Sequence, residues 1–339
     1  MMFALLTPFS LGATGPAHNG RAQLPPQGWR HWNQWNGAIS QAIIEGNIRM
    51  LADRSRKVNG VATSLADLGY NDAGIDDGWQ QCGSFGPEAY RYHSAAGAPM
   101  VDEVKFPNLN SIPALAHSLN LTAGWYGNAC GCVDGCCSDH CDTLECFVGD
   151  VNATLSFGFD SYKLDGCGVQ RDIEFWATLF NHSIVRRNAA ANASAQHMGM
   201  MLENCHDDDG MHLGPDGSGG NAPYYDVNGE LWCPFHTYRT SGDARPTYGS
   251  LMNNLNSTRV MAARNLSVPG CWAYPDMLEV GVTATSNMKD CGKHGNEVCG
   301  PLSVAEAQTH FNAWAIVSRY LFISLDRMTE YFTILNDNF

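Results

Sequence analysis

Lys163, Asp165 and Cys167 stand at alternate positions in the run Phe159-Asp160-Ser161-Tyr162-Lys163-Leu164-Asp165-Gly166-Cys167-Gly168. Read as a buried strand, the run puts these three side chains on one face and breaks at glycine. An ammonium two residues from a carboxylate on that face keeps the carboxylate ionised at mildly acidic pH. A second acidic feature, Asp76-Asp77, closes the stretch Tyr70 to Trp79. Adjacent aspartates at a strand tip are expensive unless something polar is bound there. Asp243 ends Tyr238-Arg239-Thr240-Ser241-Gly242-Asp243, and Trp32, Tyr126, Glu203, Arg239 and Asp276 complete the set of polar or aromatic tips. Carboxylates accept from hydroxyls and aromatic faces cover the apolar side of a sugar, so these are residue types for binding carbohydrate. Cleaving a glycosidic bond takes two carboxyl groups, one ionised to attack and one protonated to donate, about 5–5.5 Å apart in retaining enzymes. Asp165 is the natural nucleophile, and Asp243 is the candidate to face it across a pocket. No metal-ligand spacing, phosphate loop or Gly-x-Ser-x-Gly elbow occurs, so neither metal nor cofactor is expected.

These tips need elements to carry them. The spacing predicts a strand over Gly28 to Asn36, with Trp29, Trp32 and Trp35, and a Ser40-capped helix over Gln41 to Lys57. A second helical stretch over Val61 to Leu68 ends at Gly69. Helices are also expected near Ser111 to Leu119, up to Phe157, over Arg171 to Arg187, from Pro246 to Ala263 and over Ser303 to Val317. Strands are expected over Leu121 to Tyr126, His197 to Cys205, Tyr238 to Asp243, Val268 to Met277 and Leu321 to Asp326. Strand and helix alternate through the chain, which implies a parallel sheet with crossover helices and, at this length, a closed (β/α)8 TIM barrel. Every tip named above then falls at the C-terminal end of a strand, where such barrels carry their active sites.

With 339 residues the chain makes one large domain, or one with a small companion. Its formal net charge of −14 argues against nucleic acid and anionic membrane as partners and suits a neutral sugar. No run of 18 apolar residues exists to span a bilayer. Residues 1–23 read as a signal peptide or a disordered N-terminus, and 24–339 as the catalytic barrel. Thirteen cysteines and six N-glycosylation sequons, starting at Asn120, Asn152, Asn181, Asn192, Asn256 and Asn265, fit a secreted or lysosomal/vacuolar glycoprotein.

Gly28-Trp29 with Trp32, Ile75-Asp76-Asp77-x-Trp79, Phe106-Pro107, Gly124-Trp125-Tyr126, Lys163-Leu164-Asp165-Gly166-Cys167, Tyr238-Arg239-x-x-Gly242-Asp243 and Pro275-Asp276-Met277-Leu278 occur in order between about residues 24 and 326. As a set they resemble glycoside hydrolase family 27, which holds the α-galactosidases and α-N-acetylgalactosaminidases. The resemblance implies a retaining exo-glycosidase acting on galactose-containing oligosaccharides or glycoconjugates, with a homodimer allowed. It makes Asp165 the nucleophile and Asp243 the acid/base. Asp76 and Asp77 would grip the 4- and 6-hydroxyls, Lys163 the 3- and 4-hydroxyls and Arg239 the 2-hydroxyl. Trp32 and Tyr126 would be walls, and Asp276 a further substrate contact. Glu203 falls where galactose-specific members carry glutamate, filling the space of an acetamido group. The alternatives are an α-N-acetylgalactosaminidase, a β-L-arabinopyranosidase or an inactive carbohydrate-binding relative. Arg30 and Tyr274 replace commoner polar residues near the pocket rim. The family's C-terminal antiparallel β domain is expected to be missing, since the chain stops near the eighth helix.

The same resemblance implies a bridge from Cys167 to Cys130 or Cys132 and another from Cys205 to Cys233. A bridge common in the family is absent, because Gly78 follows the double aspartate and no cysteine follows Trp35 in the first loop. Cys291 and Cys299 would close a local loop, and Cys136, Cys137, Cys141 and Cys146 can pair among themselves. An odd count leaves at least one thiol unpaired, with Cys82 and Cys271 as candidates. The Cys130–Cys146 cluster reads as disulfides rather than a zinc site, and His206 to Asp209 with His212 as a solvated loop rather than a cation site.

Overall fold

The computed structural model describes residues 19–82, 92–127, 132, 144–166, 170–190, 198–205, 223–282, 301–317 and 321–323. At its centre lie eight strands: β1 (Gln27–Arg30), β2 (Asp72–Gly74), β3 (Thr122–Gly127), β4 (Ser161–Asp165), β5 (Met201–Cys205), β6 (Thr237–Arg239), β7 (Trp272–Tyr274) and β8 (Leu321–Ile323). They form one sheet in the order β7-β6-β5-β4-β3-β2-β1-β8. All seven pairings are parallel. Neighbours in sequence are neighbours in space, and β8 returns to pair with β1, Gln27 opposite Leu321. That return curls the sheet into the expected (β/α)8 barrel. Among the described residues no ladder joins β7 to β8.

Helices α1 (Gln41–Leu51), α2 (Ser111–Ser118), α3 (Leu144–Phe157), α4 (Ile173–Ala190), α5 (Tyr248–Ala263) and α6 (Val304–Val317) supply the crossovers. Between β5 and β6 the described residues form a small antiparallel hairpin, Tyr224–Tyr225 with Leu231–Trp232. The Ser40 hydroxyl caps α1 by accepting from Ile43 N, and Thr247 caps α5 by accepting from Ser250 N. Helix α1 buries Ile44, Asn47, Ile48 and Leu51, a stripe at helical spacing. No helix among the described residues is long and apolar enough to cross a membrane.

Three expected elements are different in the structure. Helix α1 stops at Leu51, not Lys57, and Val61 to Leu68 is not a helix. Lys57–Val58 instead pairs with Val61–Ala62 in a hairpin, and only Ala66–Leu68 makes a 3-10 turn. The cause is the Asn59-Gly60 turn, both residues at positive φ (51° and 81°), which suits a two-residue hairpin loop. The tryptophan-rich strand also ends early. After Arg30 the chain makes a helical turn, Trp32–Trp35, stopped by Asn36 at φ 46°, whose Nδ2 donates to Trp32 O. The turn leaves Trp29 in the core and Trp32 at the barrel mouth.

The barrel interior is partly charged. Arg30, 2% exposed, turns its guanidinium into the barrel, to Asp72 Oδ1 of the neighbouring strand at 2.5 Å and with Glu203 Oε2 at 3.7 Å. Asp72 Oδ2 also accepts from Thr122 and Ser161. Space for the guanidinium comes from missing side chains: a Cβ on Gly74 would lie 2.3 Å from Arg30 Cζ. Arg30 is therefore an interior residue, not the rim residue expected from sequence. A buried pair of this kind adds little net stability over an apolar replacement, but deleting one partner typically costs about 3–5 kcal/mol.

Candidate active site

A cavity of about 200 Å³ opens at the C-terminal ends of the strands, lined by Trp32, Asn33, Asp76, Asp77, Tyr126, Lys163, Asp165, Arg239, Asp243, Asp276 and Met277. Every site residue named from sequence is there except Glu203. A larger cavity of about 520 Å³ lies at the opposite end, between the entry segment Arg21 to Gln27 and the starts of β2 and β3, far from this chemistry.

One wall comes from β2, β3 and β4. Lys163 Nζ donates to Asp76 Oδ2 at 2.6 Å, and both side chains are about 95% buried. The partner of Lys163 is thus Asp76. Asp165, two residues along the same strand, is held differently: its Oδ2 accepts from Tyr126 OH at 2.7 Å and its Oδ1 from Gly166 N at 2.7 Å. Burial pushes the Asp76 carboxyl up, but the Lys163 ammonium above all, with the Asp77 N–H, holds the group below the ordinary carboxylate range. Burial would lower Lys163, yet Asp76 and the neighbouring acids raise it well above its ordinary value. Tyr126 is raised by burial first and then by Asp165, so it stays a phenol that donates. His31, fully buried, accepts from Asp76 N through Nε2 and is lowered to about 4, mainly by burial. It is a neutral prop for the double aspartate.

The other wall comes from β6 and β7. Arg239 Nη1 lies 2.8 Å from Asp243 Oδ1 and 3.6 Å from Asp276 Oδ1, so one guanidinium serves two carboxyl groups. Asp276 Oδ2 accepts from Ala244 N at 2.6 Å. Its backbone sits at φ 125°, a strained conformation for a residue other than glycine, and Trp314 Nε1 ties its carbonyl at 2.7 Å. Burial, and then the Asp243 charge against the pull of Arg239, raise Asp276 to about 6. Behind it Glu279, fully buried, is pushed well above the carboxylate range by burial and by Asp276 and Asp243.

Glu203 does not reach the cavity. It lies opposite Lys163 in the β4–β5 ladder, and its Oε1 accepts from Tyr274 OH at 2.5 Å inside the barrel. Tyr274, 1% exposed, is likewise interior rather than at the rim. The β5 residue level with Asp165 is Cys205. Its thiol is free, fully buried and raised by burial, among the charges of Arg239, Lys163 and Asp165. This also corrects the Cys205–Cys233 bridge. Cys233 lies ahead of β6 at the far end of the barrel and bonds Cys271, ahead of β7, while Cys205 is at the mouth. Cys132 bonds Cys82, because the loops after β2 and β3 lie side by side, so Cys132 is not a partner of Cys167 and neither Cys82 nor Cys271 is unpaired. Cys130, Cys136, Cys137, Cys141, Cys167, Cys291, Cys299, His206 to Asp209 and His212 lie outside the described residues, whereas Cys146 is buried in helix α3.

Sequence reasoning missed His31, Asn33 and Met277. Reading Gly28 to Asn36 as one strand hid the helical turn that brings Asn33 to the cavity. The Trp32-Asn33 pair followed by Asn36, a residue tolerant of positive φ, was the available signal.

A parallel (β/α)8 barrel with this carboxylate-lined mouth defines a class, and the comparisons narrow it. No family model matches the chain. An α-galactosidase of Lachancea cidri is 26% identical over 321 residues, covering 93% of this chain and 59% of that protein. One of rice is 26% identical over 91% of this chain and 59% of its own length, and α-galactosidase D of Emericella nidulans 27% over 90% and 39%. Among solved structures, the α-galactosidase of Saccharomyces cerevisiae aligns with TM-score 0.61 at 21% identity, over 95% of this chain and 64% of that one. α-Galactosidase I of Mortierella vinacea gives 0.61 at 20%, over 94% and 72%. The resemblance to glycoside hydrolase family 27 therefore holds, and this chain is a homologue of the α-galactosidases. It spans about 59% of the length of the first two of these curated relatives.

Proposed function

We propose that the cavity hydrolyses terminal non-reducing α-D-galactose residues by double displacement. The observation that carries this is that Asp165 and Asp243 line one small cavity from different walls, Asp165 held by Tyr126 OH and Gly166 N and Asp243 by Arg239. Asp165 accepts from Tyr126 OH and Gly166 N, bonds that fix the orientation of the nucleophile. It attacks the anomeric carbon, and Asp243 gives a proton to the leaving oxygen. The glycosyl-enzyme is then opened by water that Asp243 deprotonates, with retention. Asp76 and Asp77 take the 4- and 6-hydroxyls, Lys163 the 3- and 4-hydroxyls, Arg239 the 2-hydroxyl, Trp32 and Tyr126 the ring faces, and Asp276 a further contact. The two disulfides among the described residues fit an oxidising compartment, secreted or vacuolar.

A second reading is α-N-acetylgalactosaminidase activity. Glu203 is withdrawn into the barrel, so no carboxylate from that position fills the space of a 2-acetamido group. Hydrolysis of 4-nitrophenyl α-galactoside and of the matching α-N-acetylgalactosaminide, followed by NMR, separates the readings. α-Galactose as the first product supports the proposal. β-Galactose first, or turnover surviving in Asp165→Asn, overturns the mechanism. Faster turnover of the acetamido substrate favours the second reading, and no turnover of either an inactive relative.

A further inference from the structure

Asn33 lines the cavity although it is 2% exposed. Its Nδ2 donates to Glu279 Oε1 at 2.8 Å. Its carboxamide oxygen accepts no hydrogen bond among the described residues and is not sealed in the core. One N–H of the amide is thus held behind the wall, and the unpartnered carboxamide oxygen is the acceptor left to the cavity.

Glu279 is placed to enforce this. Its neighbours Leu278 and Val280 are fully buried. Its backbone N donates to His310 Nε2 at 3.0 Å, and Trp314, from the same helix α6, ties Asp276 O three residues earlier. Oε2 of Glu279 has no partner among the described residues. The charged groups that act on the carboxyl are Asp276 and Asp243, which raise it, and Arg245, which opposes them. His310, lowered to about 3 by burial, is neutral and adds no charge. Burial and the neighbouring aspartates favour the neutral carboxyl, whose Oε1 accepts from Asn33.

Resting on the galactoside reading above, we infer that Asn33 is a sugar-hydroxyl acceptor of the cavity and that Glu279 is the positioning residue that fixes its carboxamide. Asn33 touches the ligand, and Glu279 acts only through it. The consequence is selective: Asn33 contributes to recognising one hydroxyl and is indifferent to the others.

The test is calorimetric binding of galactose and its 2-, 3-, 4- and 6-deoxy analogues to the full chain and to Asn33→Ala, Glu279→Gln and Glu279→Leu. The wild-type chain should lose roughly tenfold in affinity for the analogue lacking the recognised hydroxyl. Asn33→Ala should weaken galactose by a similar factor and bind that one analogue as tightly as the wild type, with the other penalties unchanged. Glu279→Gln keeps a neutral acceptor and should follow the wild-type pattern within about twofold. Glu279→Leu should follow Asn33→Ala. Uniform weakening across all analogues in Asn33→Ala overturns the assignment, as does a Gln variant that behaves like the Leu variant or a Leu variant that behaves like the wild type. If Glu279→Leu does not fold, the Asn33→Ala and Glu279→Gln patterns still decide. A wild-type chain that binds no galactose sinks the galactoside reading and this inference with it, whereas normal galactose binding with an unchanged pattern in Asn33→Ala sinks the inference alone.

Discussion

The two walls of the cavity hold acids in opposite ways. On the β2–β4 wall, Asp76 has an ammonium of its own at 2.6 Å and Asp165 has two hydrogen-bond donors. On the β6–β7 wall, one guanidinium is shared between Asp243 and Asp276, and a third acid, Glu279, is buried behind them. The first wall matches negative charges with donors. On the second wall burial is not outweighed, and Asp276 is raised to about 6 and Glu279 well above its ordinary value. A double displacement needs an ionised group on one side of the bond and a proton donor on the other. In the proposed mechanism Asp165 on the first wall and Asp243 on the second take those two parts.

The largest effect should come from breaking the division of labour. Asp165→Asn should lower turnover by at least about 10⁴-fold on every substrate, because no other group forms the covalent intermediate. Asp243→Asn should do so only where the leaving group needs a proton. With 2,4-dinitrophenyl α-galactoside the first step should survive, the glycosyl-enzyme should accumulate as a burst, and azide should restore turnover as galactosyl azide. Equal losses in both variants on the activated substrate, without rescue, would remove the assignment of roles.

Next is the stability held in the charge-matched wall. Lys163→Met leaves Asp76 buried without its ammonium, and denaturant unfolding should show a loss of about 3–5 kcal/mol. Adding Asp76→Asn should recover much of it, since removing both partners is far less costly than orphaning one. Additive losses would mean the pair is not coupled.

The proton-holding wall should show itself in the pH dependence of stability. A carboxyl raised from 3.8 to about 6 binds a proton in the folded state that the unfolded state has lost. Its contribution is complete below pH 4 and disappears as pH rises through 6. Asp276→Asn should therefore flatten that decline, by on the order of 2–3 kcal/mol between pH 4 and 7. Asp76, lowered when folded, works in the other direction: its contribution is present above pH 4 and is lost as pH falls below it. A wild-type curve unchanged by Asp276→Asn would show that the second wall does not hold a proton.

These walls were only partly legible in the sequence. The barrel, the long helices and the tips could be read, because caps, apolar spacing and glycine breaks are local signals. Height within the barrel could not. Glu203 and Cys205 are two residues apart on the same face of β5, and only the register with β4 shows that Cys205, not Glu203, is level with Asp165. Arg30 looked like a rim residue because nothing local announces that Gly74 clears space for its guanidinium. The Cys233–Cys271 bridge joins the starts of adjacent strands, a proximity that exists only after the sheet is ordered. The hairpin at Asn59-Gly60 was legible and was missed, since the helical pattern over Val61 to Leu68 was given more weight than the turn dipeptide.

The smallest effect concerns how the charge-matched wall is anchored where a family disulfide is absent. Gly78, just past the double aspartate, sits at φ 107° with its backbone against Gly37, and a Cβ on it would lie 2.9 Å from Gly37 Cα. Lys105 Nζ donates to the carbonyls of both, at 3.3 Å to Gly37 and 3.1 Å to Gly78. An ammonium bridging two carbonyls thus joins the loops that a bridge would have joined. It is a weaker link, since Lys105 is about a third exposed and its Coulomb gain is screened. Lys105→Met keeps the aliphatic stem and removes the clamp, so it should cost about 1 kcal/mol or less in stability. Because Gly78 follows Asp76-Asp77 directly, the loss should appear as a two- to fivefold rise in KM with kcat little changed, roughly the worth of one slackened hydrogen bond. A fall in kcat at constant KM would place Lys105 in the chemistry instead, and no change in either would show that the glycine contact alone holds the two loops together.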